Sequence, residues 1–435
     1  MNATGAGGDP YFPEFGDRAY AVAHYDLQLV YRIEGNHLSG TAEIRAVARE
    51  ALQVIRLDLH GLDVSKVRLD VGHVAKFSCR HGKLVVRTKK PIAAGQEFCL
   101  TVRYDGRPQQ VSDGSDGMGW EELADGVLVA GQTNGAPSWF PCNDRPDDKA
   151  SYRIEVTAAS RYHVVANGHL ASKRRGAGST TWVYEQSEPM ATYLATVQIG
   201  PYVSRDLPGA PVPMTAVLPE ERLGGYDSGF GRLADMMAYF AEVFGPYPFG
   251  SYAVVITDDE LEIPLEAQGL AIFGSNFLTD DWQSVRLVAH ELAHQWFGNS
   301  VTASSWRDIW LHEGFACYAE WLWSERSGGP SAAQRAREHH VKLVAKPQDL
   351  LLGDPGPQDM FDDRVYKRGA LLLHALRVEV GEDTFFAILR EWTARFRHGS
   401  VTTAMFIELA EEVAGRGLVA LFRAWLGEVA VPALA

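Results

Sequence analysis

The sequence predicts a multi-domain α+β protein: an N-terminal antiparallel β-sandwich over residues 1–204, then a mainly helical domain over residues 205–435. Three observations carry this. The chain has 435 residues, more than one ordinary hydrophobic core accommodates. Its first two hundred residues alternate apolar and polar side chains with period two. Beyond about Arg205 the alternation gives way to helical periods.

Taken in order, HYDLQLVYRI puts Tyr25, Leu27, Leu29, Tyr31 and Ile33 on one face and Asp26, Gln28 and Arg32 on the other. Similar runs follow in GKLVVRT, EFCLTVRY, SYRIEVTA and YHVVANG, separated by Gly, Asn and Asp turns. Strands spaced in this way need a core between two sheets. The Pro- and Gly-rich stretch DLPGAPVPM reads as the domain junction. A strand, SYAVVIT, comes next, and then the helical segments SVRLVAHELAHQWFG, DIWLHEGFACYAEWLWSER and GALLLHALRVEV. No internal repeat or low-complexity segment interrupts the pattern.

Composition narrows the function classes. A hydrophobic fraction of 46% with 22% charged residues is that of a soluble globular protein. The net charge of −14 argues against nucleic acid as a partner. The first twenty residues contain no basic stretch followed by an apolar run, so no signal peptide is expected. No run of about 18 apolar residues predicts a membrane span. Cys79, Cys99, Cys142 and Cys317 are scattered, which favours free thiols in a reducing compartment and leaves a Cys79–Cys99 bridge open. A cytoplasmic location is the expectation.

The stretch HELAHQWFGNS, residues 290–300, concentrates the chemistry. Residues at i and i+4 on a helix share a face, so His290 and His294 can offer two imidazoles to one metal ion. Glu291 is placed to reach a water on that metal without ligating it. Asp280 or Asp281 can cap the helix and Gly298 can end it. The competing reading, a core helix with incidental polar residues, would bury two His and a Glu without partners, which is costly. A catalytic zinc needs a third protein ligand and one open position. The continuation HExxHxxGxxH fails, because Phe297 and Ser300 stand where Gly and His would be. Glu313, separated from His294 by eighteen residues and on the next predicted helix, can return to the histidines if the two helices pair antiparallel. Glu320 either holds a ligand histidine or faces solvent. His, His and Glu suit zinc best among the first-row metals. The tryptophans Trp296, Trp306, Trp310, Trp321 and Trp323 fall at helical spacings and read as core.

HExxH followed by eighteen residues and Glu is the signature of the M1 aminopeptidases, and this chain resembles them. Further segments agree with the resemblance. WFPCNDRPDDKASYRIEV is similar to the family's FPCxDxPxxKaxF segment, ATYLATVQIGPY to its TYL strand, VFGPYPFGSY to its FGxYPF approach to the active-site domain, and FRAWLGEVAVPAL to its WLxxxxxP end. The resemblance implies a thermolysin-like catalytic domain holding one Zn2+. The function it implies is a zinc-dependent metallo-aminopeptidase acting on peptides with a free N-terminus. In it a zinc-activated water attacks, with Glu291 as general base.

The resemblance also assigns Tyr366, in DRVYKRGALLLHALR, to transition-state stabilisation, with Arg368 where the family often has Lys. It assigns Glu266 to the substrate amine, although Ile263–Ala267 replaces the family's GxMEN and keeps only its Glu. Gln132 matches a second amine-binding position and reads equally as an exposed loop residue. Asp258, Asp259, Glu260 and Glu262 read as solvated loop charges. Many members carry a long helical domain after the catalytic one; this chain reads as a short form lacking it, with a more open cleft unless another subunit covers it. Two alternatives stay open: a catalytically weak peptide-binding scaffold of the same fold, and an epoxide hydrolase-like activity.

Overall fold

The computed structural model describes residues 8–111 and 117–434. The first seven residues, part of the stretch read as lacking a signal peptide, lie outside these. The period-two pattern becomes a seven-stranded sheet. Its spatial order is His169–Arg175, Ser179–Met190, Ala150–Ala159, Tyr20–Arg32, His37–Ala48, Glu97–Gly106 and Asp63–Leu69. Tyr25, Leu27, Leu29 and Tyr31 are buried on one face, as the alternation requires. They join one hydrophobic cluster with Ile55, Leu57 and Val86 of a three-stranded sheet and Val127 and Ile199 of a four-stranded one. The edge strand His169–Arg175 is fully exposed, and its Lys173, Arg174 and Arg175 discourage pairing with another chain.

Two details depart from the sequence expectation. The sheet is not purely antiparallel, because Tyr20–Arg32 pairs in parallel with Ala150–Ala159. More than a hundred residues separate these strands in the chain, ample for the crossover that parallel pairing needs. The Pro/Gly stretch DLPGAPVPM is a hairpin turn rather than the junction. It connects Tyr202–Leu207 to Met214–Pro219, and those strands pair antiparallel. Pro and Gly mark a chain reversal wherever it falls, so composition alone did not separate the two cases. A division between residues 204 and 205 also cuts through Tyr202–Leu207, which pairs only into the sheet of the second half.

That second sheet has five strands in the order Tyr202–Leu207, Met214–Pro219, Tyr252–Ile256, Leu270–Phe273 and Leu265–Ala267. Helices account for most of the remaining chain. The helix Trp310–Arg326 is buried on every side from Trp310 to Ser324, the behaviour of a helix in the centre of a core. Trp296, Trp306, Trp310, Trp321 and Trp323 are all at most 1% exposed, so these tryptophans are packing. Arg368 is buried away from the cavity and donates to the carbonyls of Trp425 (2.9 Å) and Val429 (2.8 Å), tying down the last segment. The four cysteines are free thiols. No helix among the described residues is long and apolar enough to cross a membrane.

One latch between the two halves lies at the loop after His294. Lys149 Nζ donates to the carbonyls of Asn299 (3.2 Å), Ser300 (2.8 Å) and Gly399 (3.0 Å). Burial pulls its ammonium down to about 7, but three acceptors for three N–H donors favour the charged form. Tyr193 Oη donates to Gly298 O at 3.1 Å. The β-rich half therefore holds the loop that directly follows His294.

Candidate metal centre

The histidine helix spans Trp282–Ala293, with Asp281 as its N-cap accepting from Ser284 N at 3.1 Å. His294 is the C-terminal cap residue, and its N–H still donates to His290 O at 3.2 Å. The i, i+4 relation holds, and the two ring centroids lie 4.8 Å apart. Helix Trp310–Arg326 packs against this helix and presents Glu313 and Glu320.

Each imidazole is oriented through its Nδ1. His290 Nδ1 is 2.8 Å from Glu320 Oε1, and His294 Nδ1 is 3.0 Å from Phe297 O. With Nδ1–H donating to those acceptors, both Nε2 lone pairs are left for a cation. The two Nε2 atoms lie 3.3 and 3.5 Å from Glu313 Oε2. Tetrahedral ligands held at about 2.1 Å from a zinc ion sit about 3.4 Å apart. The donor set and its spacing fit one zinc ion.

Glu266, Glu291 and His294 also bring one ligand atom each within 4.8 Å of one another. Glu266 thus lies toward His294, while Glu320 lies toward His290. Glu320 Oε2 in turn receives Arg286 Nη1 at 3.1 Å. Glu291 Oε2 is buried with no hydrogen-bond partner in the protein. Tyr366, on helix Asp363–Val380, lays its ring over His290 at 6.0 Å and 21°.

The electrostatics follow from charge packed at depth. Burial alone would lower both histidines. Hydrogen bonds to Glu313 and Glu320 instead lift His290 to about 9, and Glu313 and Glu266 lift His294 to about 10. Burial pushes Glu313 up, but the two imidazoles outweigh it and hold its carboxyl far below the usual range. Burial raises Glu291 to about 7 against the pull of the same imidazoles, and it raises Glu266 too. Tyr366 is driven well above 10 by burial and the carboxylates around it, so its hydroxyl keeps its proton.

Glu266 sits on the edge strand Leu265–Ala267, which pairs with Leu270–Phe273. The carbonyl of Ala267 accepts from Gln295 Nε2 (3.0 Å) and Asn299 Nδ2 (2.9 Å), and Gly269 N donates to Gln295 Oε1 (2.8 Å). Side chains from the metal-binding stretch itself thus fix the strand that carries Glu266. Gln132 reaches the same cavity from the β-rich half, and its amide nitrogen is buried without a protein partner. The nearby acids Asp258, Glu260 and Glu262 are exposed, as loop charges are expected to be.

These residues surround a cavity of about 270 Å³. It holds every site residue read from the sequence: His290, Glu291, His294, Glu313, Glu320, Tyr366, Glu266 and Gln132. It also holds residues that reading missed, among them Arg286, Leu287, Phe361 and Lys367. Arg286 carried a usable signal, since it stands one helical turn before His290 on the same face. Phe361 and Lys367 carried none that periodicity reveals.

Residues 229–425 match the Peptidase family M1 domain, and residues 21–194 match the Peptidase M1 N-terminal domain. Among curated proteins, aminopeptidase B of Mus musculus is 27% identical over 440 residues, covering 90% of this chain and 66% of that protein. Endoplasmic reticulum aminopeptidase 1 of Homo sapiens is 24% identical over 396 residues, covering 83% of this chain and 42% of that protein. The chain therefore spans less than two thirds of these relatives' length. Among solved structures, the M1 zinc metallopeptidase of Deinococcus radiodurans is 31% identical with a TM-score of 0.90, and the match covers 98% of both chains. A mutant of that metallopeptidase, crystallised with a Tyr-Ser-Ala substrate, matches with the same identity and score.

Proposed function

This chain belongs to the M1 peptidase family, and from that premise we propose that it is a zinc-dependent aminopeptidase removing N-terminal residues from peptides. The observation that carries the reading is the joint occurrence, in one cavity, of a three-ligand metal set and two further carboxylates, the half-buried Glu266 and the buried Glu291. One anion near the metal suits a proton-transfer role; a second beside it suits a substrate's ammonium group.

His290, His294 and Glu313 would hold a zinc ion, which when bound would supply an acidified water and polarise a peptide carbonyl. Glu291 Oε2, free of protein partners, takes the nucleophile's proton and passes it to the leaving nitrogen. A carboxyl poised near neutrality is suited to both transfers. The protonated Tyr366 hydroxyl donates to the oxyanion of the tetrahedral state. Glu266 pairs with the substrate ammonium, whose charge keeps that carboxyl ionised. That pairing fixes cleavage one residue from the free end. Gln132 completes the amine contacts from the β-rich half, so both halves build the site. Glu320 orients His290. A cytoplasmic location belongs to this proposal, supported by the four free thiols.

The test is mass spectrometry of a mixed-sequence peptide and its N-acetylated twin after incubation with the zinc-loaded protein. Stepwise loss of residues from the free peptide alone is expected. Internal cuts in both would overturn the aminopeptidase reading and the role of Glu266. No cleavage of either would favour a peptide-binding scaffold.

A further inference from the structure

The cavity has a chemical polarity that the proposed reaction leaves unused. At His294's side stands the acid Glu266. At His290's side stand two cations, Arg286 on the histidine helix and Lys367 beside Tyr366 on its helix, both lining the cavity. A peptide with its ammonium at Glu266 and its scissile carbonyl beside Tyr366 continues past His290 toward these cations.

Both cations are held charged by the groups around them and keep N–H donors without a hydrogen bond among the described residues. Lys367 Nζ is buried, its side chain 13% exposed. Among the described residues its contacts are the Cys317 sulfur at 3.3 Å and, at 3.8 Å, Asp363 Oδ1. Burial pushes the Cys317 thiol up to about 12, so that sulfur is a neutral, weak acceptor. Asp363 is 57% exposed and gives its other oxygen to Lys346 at 2.9 Å. Arg286 spends Nη1 on Glu320 (3.1 Å) and Nε on Gln283 Oε1 (3.1 Å), and no acceptor for its Nη2 is found among the described residues. Among the described residues no hydrogen bond joins Lys367 to Glu320, whose Oε1 meets His290 and whose Oε2 meets Arg286, although the two charges stabilise each other. An ammonium buried this deeply with one weak hydrogen bond is poised for an anion entering from the cavity.

We propose that Arg286 and Lys367 form a carboxylate-binding subsite for the residue that follows the scissile bond. This rests on the aminopeptidase reading and deepens it. The preferred substrates are peptides with Asp or Glu in second position, or dipeptides whose terminal carboxylate lies there.

The experiment measures kcat/KM for the wild-type zinc enzyme on Leu-Glu-Gly-amide, Leu-Gln-Gly-amide and Leu-Lys-Gly-amide, and on the dipeptide Leu-Gly against Leu-Gly-amide. The acidic side chain, the free terminus or both should gain about tenfold over the neutral partner, with the Lys peptide poorest. A gain in the first series alone assigns the subsite to a side chain, and a gain in the second alone to the terminus. Lys367→Met should bring the Glu-to-Gln ratio to about one while the Gln peptide is still cleaved. If that variant fails to fold, the wild-type ratios decide. Cleavage of all these substrates at rates within about twofold of one another would overturn the subsite and leave the aminopeptidase standing. Cleavage of none would overturn the aminopeptidase reading itself.

Discussion

Two clusters of buried carboxylates sit on either side of the junction between the halves, and their bookkeeping of hydrogen bonds differs. In the β-rich half, Asp58, Asp144 and Asp148 surround the segment FPCNDRPDDK. Asp58 accepts from Gly16 N (2.8 Å) and Asp144 N (3.1 Å) and pairs with Lys83. Asp144 accepts from the Thr192 hydroxyl (2.6 Å) and Asn134 Nδ2 (2.9 Å). Asp148 accepts from Val22 N (3.2 Å) and Asn143 Nδ2 (2.6 Å). Every carboxylate oxygen of these three has a protein donor. In the metal centre, two imidazole nitrogens face one Glu313 oxygen, and Glu291 Oε2 has no donor among the described residues. Asp58, Asp144 and Asp148 are as deeply buried as Glu291 and Glu313. What separates architecture from a site is the direction of the leftover lone pairs, which in the second cluster converge on one point.

That contrast is broken most severely at Glu291. Glu291→Gln should cost about 10³-fold or more in peptide hydrolysis while zinc stays bound, since the change removes a proton acceptor and no ligand. Retained turnover would remove Glu291 from the mechanism. The next effect is on zinc affinity as a function of pH. The metal-free imidazoles hold their protons up to about 9 and 10, and zinc binding requires them off. Binding therefore releases protons and tightens as pH rises toward 9, by about tenfold per unit for each proton displaced. Calorimetry in buffers of different ionisation enthalpy should find about two protons released near neutral pH. Uptake of protons, or none exchanged, would show that the imidazoles are already neutral.

Smaller again is Glu320→Gln, which loosens His290 and should weaken zinc about 10- to 100-fold without abolishing the site. An unchanged dissociation constant would make Glu320 a packing residue. The same change made in the other cluster sharpens the comparison. Asp58→Asn should cost about 1–3 kcal/mol of stability through the lost Lys83 pair, lowering Tm by about 5 °C. Its zinc stoichiometry should not move.

How much of this was legible depended on whether the physics was local. The helical spacing of His290 and His294, the capping Asp281 and the alternation from Tyr25 to Tyr31 are properties of short segments, and the structure keeps each of them. Glu313 and Glu320 required one further step, the pairing of two neighbouring helices. Glu266, Gln132 and Tyr366 stood out from many similar residues only through the family resemblance. The roles of Gln295 and Asn299 in fixing the Glu266 strand were not legible, because those contacts join segments about 30 residues apart. The parallel pairing of Tyr20–Arg32 with Ala150–Ala159 escaped for the same reason, since period two is the same in either direction. DLPGAPVPM misled because a hairpin and a domain boundary need the same turn residues.

The most direct test of the account is zinc stoichiometry, by elemental mass spectrometry after equilibrium dialysis, on the wild type, Asp144→Asn and the double variant His290→Ala/His294→Ala. One ion per chain in the first two and none in the third is the predicted result. A wild type that takes up no zinc, or a double variant that retains a full ion, would contradict the claim that the converging donors, and not buried charge as such, make the site.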